Sequence, residues 1–149
     1  TLTGAEKIIA DLKKQIVDDW AKVRAIRKHA EIIPDQEIRT MLLRTCDLAD
    51  KVFQNFVDDP RDIKDAHKFL MYVNKSLPMV VNYARLVSDE HKVKALQERD
   101  HENFRSVSGA LGDSFETALI ALQENDVAEL RAATGTLGAL INIDKGDIR

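Results

Sequence analysis

Glu98-Arg99-Asp100-His101 sets a carboxylate and an imidazole three residues apart. On a helix that spacing turns both side chains to one face, as in carboxylate-bridged di-iron bundles. Such bundles need two copies of the motif and two further glutamates, whereas this chain carries one copy. With four histidines in 149 residues, roughly a quarter of one such match is expected by chance. A solvated charged face is the simpler reading of Glu98 and His101. A second group, Asp58, Asp59, Asp62, Asp65 and His67, could hold a divalent cation weakly. Aspartates at the start of a helix are also stabilised by its macrodipole, which accounts for most of that cluster without a metal.

Nucleophiles are no better supplied. Cys46 lies in Arg44-Thr45-Cys46-Asp47-Leu48-Ala49-Asp50, with no arginine placed to cradle a phosphate and with acidic neighbours that disfavour a thiolate. It reads as a buried, inert helix cysteine. No serine sits in a G-x-S-x-G elbow. Ser108-Gly109-Ala110-Leu111-Gly112-Asp113-Ser114 has the glycines of a phosphate loop but lacks its lysine and keeps helical phase. The residues therefore name no catalytic group and imply no cofactor.

What positions these groups is helical. From Pro60 to Val87, Ile63, Ala66, Leu70, Val73, Leu77, Val80, Ala84 and Val87 recur at alternating steps of three and four, the spacing of a single helix stripe. The stripe keeps its phase across Pro78, where a kink rather than a stop is expected because proline clashes with the carbonyl of Asn74 one turn earlier. Thr3-Gly4-Ala5-Glu6 spells a capping box, followed by a stripe of Ile9, Leu12, Ile16, Val23, Ile26 and Ala30 that Asp19 interrupts beside Trp20. Arg24, Arg27 and Lys28 put a basic patch on that helix. Pro34-Asp35 ends it, and a second helix runs through Ile38, Leu42, Thr45, Ala49, Val52, Phe53 and Phe56. Ser88-Asp89 reads as the start of a fourth helix, solvated in its first half and burying Phe104, Val107, Leu111, Phe115, Ala118 and Leu122 in its second. Gly109 and Gly112 there suggest a bend or a close helix contact. Asn125-Asp126 reads as a turn into a last stripe of Val127, Leu130, Thr134, Leu137 and Ile141. The expected fold is all-α: one domain over residues 1–149, an elongated bundle of about five amphipathic helices, with the third kinked at Pro78.

Composition narrows the classes. The net charge of −3 with interspersed signs leaves no basic face for nucleic acid. One cysteine excludes an internal disulfide and makes a reducing compartment, the cytoplasm, the expectation. No run reaches the ~18 apolar residues of a membrane span. Membrane association would therefore come only from a segment outside this sequence, upstream of Thr1.

The stretch Asp47 to Leu86 contains Val52-Phe53, Asp59-Pro60, Lys68-Phe69-Leu70-Met71-Tyr72, Leu77-Pro78 and Tyr83-Ala84-Arg85-Leu86. It resembles the XpaC family, the 5-bromo-4-chloroindolyl phosphate hydrolysis proteins. The tail from Ser114-Phe115-Glu116 through Leu122-Gln123-Glu124-Asn125-Asp126 to Leu137 and Ile141 is similar to that family's C-terminal helix pair. Pro60, Phe69, Tyr72, Pro78 and Tyr83 are the residues that carry the likeness, and Val73 stands where the family has a second tyrosine. The resemblance implies a bacterial protein, with an N-terminal membrane segment in relatives, found alongside toxic-anion (tellurite) resistance proteins. It brings no catalytic residues. The leading expectation is a non-enzymatic helical interaction module with a protein partner. The alternatives are a metal-assisted phosphoesterase, using the aspartate cluster or Glu98 and His101, and a pure oligomerisation element forming a homo-oligomer.

Overall fold

The computed structural model describes residues 1–147, and side chains through residue 143. Four α-helices make up most of it: α1 (Gly4–Ala30), α2 (Gln36–Asp58), α3 (His67–Val87) and α4 (Glu98–Asp147), with 3-10 helices at Pro60–Asp65 and Lys92–Ala95. No strand occurs among the described residues. The chain falls into two compact units, Thr1–Leu119 and Ile120–Arg149.

The first unit is an all-α bundle. Its helices start where local chemistry dictates. Thr3 Oγ1 accepts the Glu6 N–H at 3.2 Å while Glu6 accepts the Thr3 N–H at 3.3 Å, closing the capping box. Asp35 caps α2 by accepting the Ile38 N–H at 3.0 Å. The core is aromatic at its centre. Trp20 of α1 stacks on Phe53 of α2 at 5.7 Å. Phe53 meets Phe56 and, at 5.4 Å, Phe69 of α3. Phe69 in turn reaches Phe115 of α4 at 4.8 Å. One chain of rings thus touches all four α-helices.

Polar groups tie the same helices. Asp19, only 8% exposed, is not a fault in the α1 stripe. It holds Lys22 at 3.0 Å, and Lys22 also donates to Asn74 of α3. The Trp20 indole donates to Asp50 of α2 at 2.8 Å, and Arg27 bridges Asp47 and Asp50 at 2.7 Å each. The expected basic patch on α1 is therefore partly neutralised by α2.

The structure departs from the sequence expectation in several places. The helix expected from Pro60 is divided at Ala66, since the Asp59 carbonyl takes the Asp62 N–H three residues on and opens 3-10 turns. The helix expected from Ser88 begins only at Glu98. Asp89 instead gathers the His91 and Lys92 N–H groups into a turn, because Glu90 to Gln97 offers no apolar stripe worth burying. Asn125-Asp126 does not break the chain, and α4 continues through it. Neither residue blocks the i to i−4 bond, and each lowers helix propensity by under about 0.7 kcal/mol. Last, α4 buries Phe104, Ser108, Phe115 and Leu119, while Val107 is 49% exposed. The face is rotated because Gly112 lies against α2: a Cβ built there would sit 2.9 Å from Thr45 Oγ1.

Pro78 lies inside α3, which is helical on both sides of it. In the turn before it, Asn74 donates to the Leu70 carbonyl at 2.9 Å and Ser76 donates to the Tyr72 carbonyl, each a side-chain bond to the carbonyl one turn back. Ser76 takes a core place expected for Leu77, which is half-buried. Phe69 and Tyr83 are core residues as well.

In the second unit, no described side chain from residue 120 to 143 is buried. Leu130, Leu137 and Ile143 are 62%, 59% and 59% exposed, so the final apolar stripe forms with the expected spacing but is uncovered.

Gly112→Ala tests the tight approach of α4. Overpacking against Thr45 outweighs the roughly 1 kcal/mol propensity gain of alanine. Urea unfolding should show a net loss of about 1–2 kcal/mol, recovered when Thr45→Ala removes the opposing oxygen.

Candidate functional site

Tyr83 and His101 meet at one end of the first unit. Tyr83 is placed by the last turn of α3, its ring stacked on Phe104 at 3.8 Å and 5°. His101 comes from the first turn of α4, and its Nδ1 lies 2.7 Å from the Tyr83 hydroxyl. Glu98, one turn earlier, opens onto the same cleft of about 290 Å³, as do Asp35, Arg105 and the apolar Val87 and Val93. Asp35 uses one carboxylate oxygen for its cap and the other to accept from Arg105 at 3.1 Å. Arg105 also donates to Glu102 at 2.7 Å and lies 3.7 Å from Glu37. Asp100 is absorbed by helix initiation, accepting the Gln97 N–H at 2.8 Å. The family-marked Tyr83 and the spacing-marked Glu98 and His101 thus share one site. Asp35 and Arg105, 70 residues apart, complete it, and no sequence signal joined them.

A hydroxyl hydrogen-bonded to an imidazole beside an arginine is the bare geometry of a phosphoryl-transfer nucleophile, its base and a phosphate clamp. The electrostatics oppose that use. Tyr83 is 7% exposed, and burial, then the Asp35 charge, push its phenol up rather than down. Asp35, Glu37 and Glu102 lie within 4 Å of the one guanidinium in the cleft and Glu98 opens onto the same space, so a phosphate dianion would meet net negative charge. The cleft is built as a polar lock joining the α1–α2 loop, α3 and α4.

The other candidates are dispersed. Asp59 caps the 3-10 helix by accepting the Arg61 N–H at 3.2 Å, with Pro60 following it at the first helical position. Asp58, Asp65 and His67 are exposed and Asp62 is half-buried. Among the described residues no group of three or more His, Cys, Asp or Glu side chains is placed to hold a metal ion. The family block divides by face: Phe69 enters the core, whereas Tyr72 lies with Lys68, 5.8 Å over its ring, in an open groove of about 410 Å³ shared with Leu111, Asp113 and Ser114. Ser108 to Ser114 is helical, not a phosphate loop. Cys46 is buried, and that burial pushes its thiol up to about 12.

Two outcomes follow from these environments. Tyr83→Phe keeps the stack on Phe104 and loses the bond to His101, so thermal unfolding should register a loss of about 1 kcal/mol. Cys46 should resist alkylation in the folded protein at pH 8 and react once urea unfolds it. Above pH ~9 the folded state keeps a thiol proton that the unfolded chain releases, so the contribution of Cys46 to stability falls as pH rises from about 9 towards 12.

No described helix is long and apolar enough to cross a membrane. No curated protein and no solved structure matches the chain. The family model described as 5-bromo-4-chloroindolyl phosphate hydrolysis protein matches residues 5–133. That span takes in the whole first unit from the first turn of α1 onward, and the chain belongs to this family.

Proposed function

We propose that the protein is a helical interaction module that binds another helix through the C-terminal part of α4, and that it is not itself a hydrolase. One observation carries this reading. Val127, Leu130, Leu137, Leu140, Ile141 and Ile143 are each between 43% and 62% exposed. Scattered exposed apolar residues are ordinary, but six along one amphipathic stretch form the kind of patch that marks an association surface. The unfavourable charge around Tyr83 and His101 supports the same conclusion from the other side. The family's name ties its members to indolyl phosphate hydrolysis. On this reading the connection runs through a partner. The partner class implied by the family resemblance is a toxic-anion (tellurite) resistance protein.

Purified chain should co-elute with a purified toxic-anion resistance protein from the same source, and Leu137→Glu should abolish co-elution without lowering the melting temperature. Release of chromogen from 5-bromo-4-chloroindolyl phosphate by the purified chain alone, lost on His101→Ala or Tyr83→Phe, would overturn the reading.

A further inference from the structure

The groove beside Tyr72 is a valley between two antiparallel helices of the first unit. Phe69 of α3 meets Phe115 of α4, and Tyr83, further along α3, stacks on Phe104, earlier in α4. That register sets Lys68 level with Ser114 and Thr117, and Tyr72 nearer Leu111 and Val107, all lining the same cavity of about 410 Å³. Lys68 and Tyr72 are one turn apart on α3, and Val107, Leu111 and Ser114 follow at steps of four and three on α4, so each helix turns one face to the valley. One end of the groove is therefore polar and the other apolar. Val107, which the apolar spacing places in the core, instead walls the apolar end and is 49% exposed.

The charges at the polar end are not used by the fold. Among the described residues, neither Lys68 nor Asp113 makes an ion pair with the other or with a third group. The Lys68 ammonium lies over the Tyr72 ring at 5.8 Å, a contact that keeps it at the groove. Glu116, three residues after Asp113, is taken by Arg44 at 2.9 Å, which leaves Asp113 as the open carboxylate of that stretch. Ser114, half-buried between them, can both donate and accept.

We propose that this groove binds a free α-amino acid with a large apolar side chain. Lys68 and Ser114 take its carboxylate, Asp113 its ammonium, and Tyr72 and Leu111 its side chain. Other ligand classes leave part of the lining unmet. A simple anion on Lys68 would face the Asp113 charge. An organic cation on Asp113 would face Lys68, which already covers the Tyr72 ring that a cation would seek. A peptide terminus offers one of the two charges, whereas the free amino acid offers both beside an apolar group. The cavity volume is also within the range of small-molecule sites, about 300–1,000 Å³.

L-Phenylalanine added to the isotope-labelled full chain at pH 7 should shift the backbone amide signals of Lys68, Tyr72, Asp113 and Ser114 saturably. The dissociation constant should be millimolar, as expected of so small a ligand. 3-Phenylpropionate lacks the ammonium and phenethylamine the carboxylate, and each should bind about tenfold more weakly. Lys68→Gln and Asp113→Asn change exposed positions. Each should weaken phenylalanine binding about tenfold with circular dichroism and melting temperature unchanged. No saturable shift at these residues, equal binding of 3-phenylpropionate or phenethylamine, or full affinity in either variant would each overturn the proposal.

Discussion

The ring chain Trp20–Phe53–Phe69–Phe115 is the constraint on which the bundle depends, because it touches all four α-helices in series. Phe53 and Phe56 are fully buried and Phe69 nearly so. With few aromatics overall, the chain concentrates its largest apolar surfaces at one level, and aromatic pairs there contribute about 0.5–1.5 kcal/mol each beyond their burial.

Charge is used in the first unit to hold positions. Asp19 with Lys22 and Asn74, Asp50 with Trp20 and Arg27, and Asp35 with Arg105 each join elements distant in sequence. The hydrogen bond from Asp50 is the main reason the Arg27 guanidinium is held above its ordinary value. Groups so thoroughly paired are poorly placed for turnover. A catalytic site keeps a charge unspent and lowers the barrier to using it, whereas burial here drives both Cys46 and Tyr83 away from their reactive anions. An uncovered apolar surface lies in the second unit. A helix gains little from its own propensity, and most helical stability comes from packing of an apolar face.

Much of this was legible in the residues. The capping box at Thr3 and Glu6, the cap at Asp35, the class of the fold and the burial of Cys46 follow from local spacing and appear as expected. The family likeness read from Phe69, Tyr72, Pro78 and Tyr83 agrees with the matched family. Periodicity failed where two stripes competed. On α4 it placed Phe104 and Phe115 in the core as found, but it also favoured Val107, Leu111, Ala118 and Leu122 where Ser108, Gly112 and Leu119 are buried, since close approach rewards small residues that a hydrophobicity pattern passes over.

By itself the sequence determined each helix, its caps and the apolar spacing along it, because those depend on neighbours within about four residues. The tertiary structure alone decided which face of α4 is buried, that Asp19 belongs in the core, and that Tyr83, His101, Asp35 and Arg105 share a cleft. Those outcomes rest on contacts between residues 18 to 70 positions apart. A contact at that range is fixed by how whole helices pack, and no local pattern encodes it.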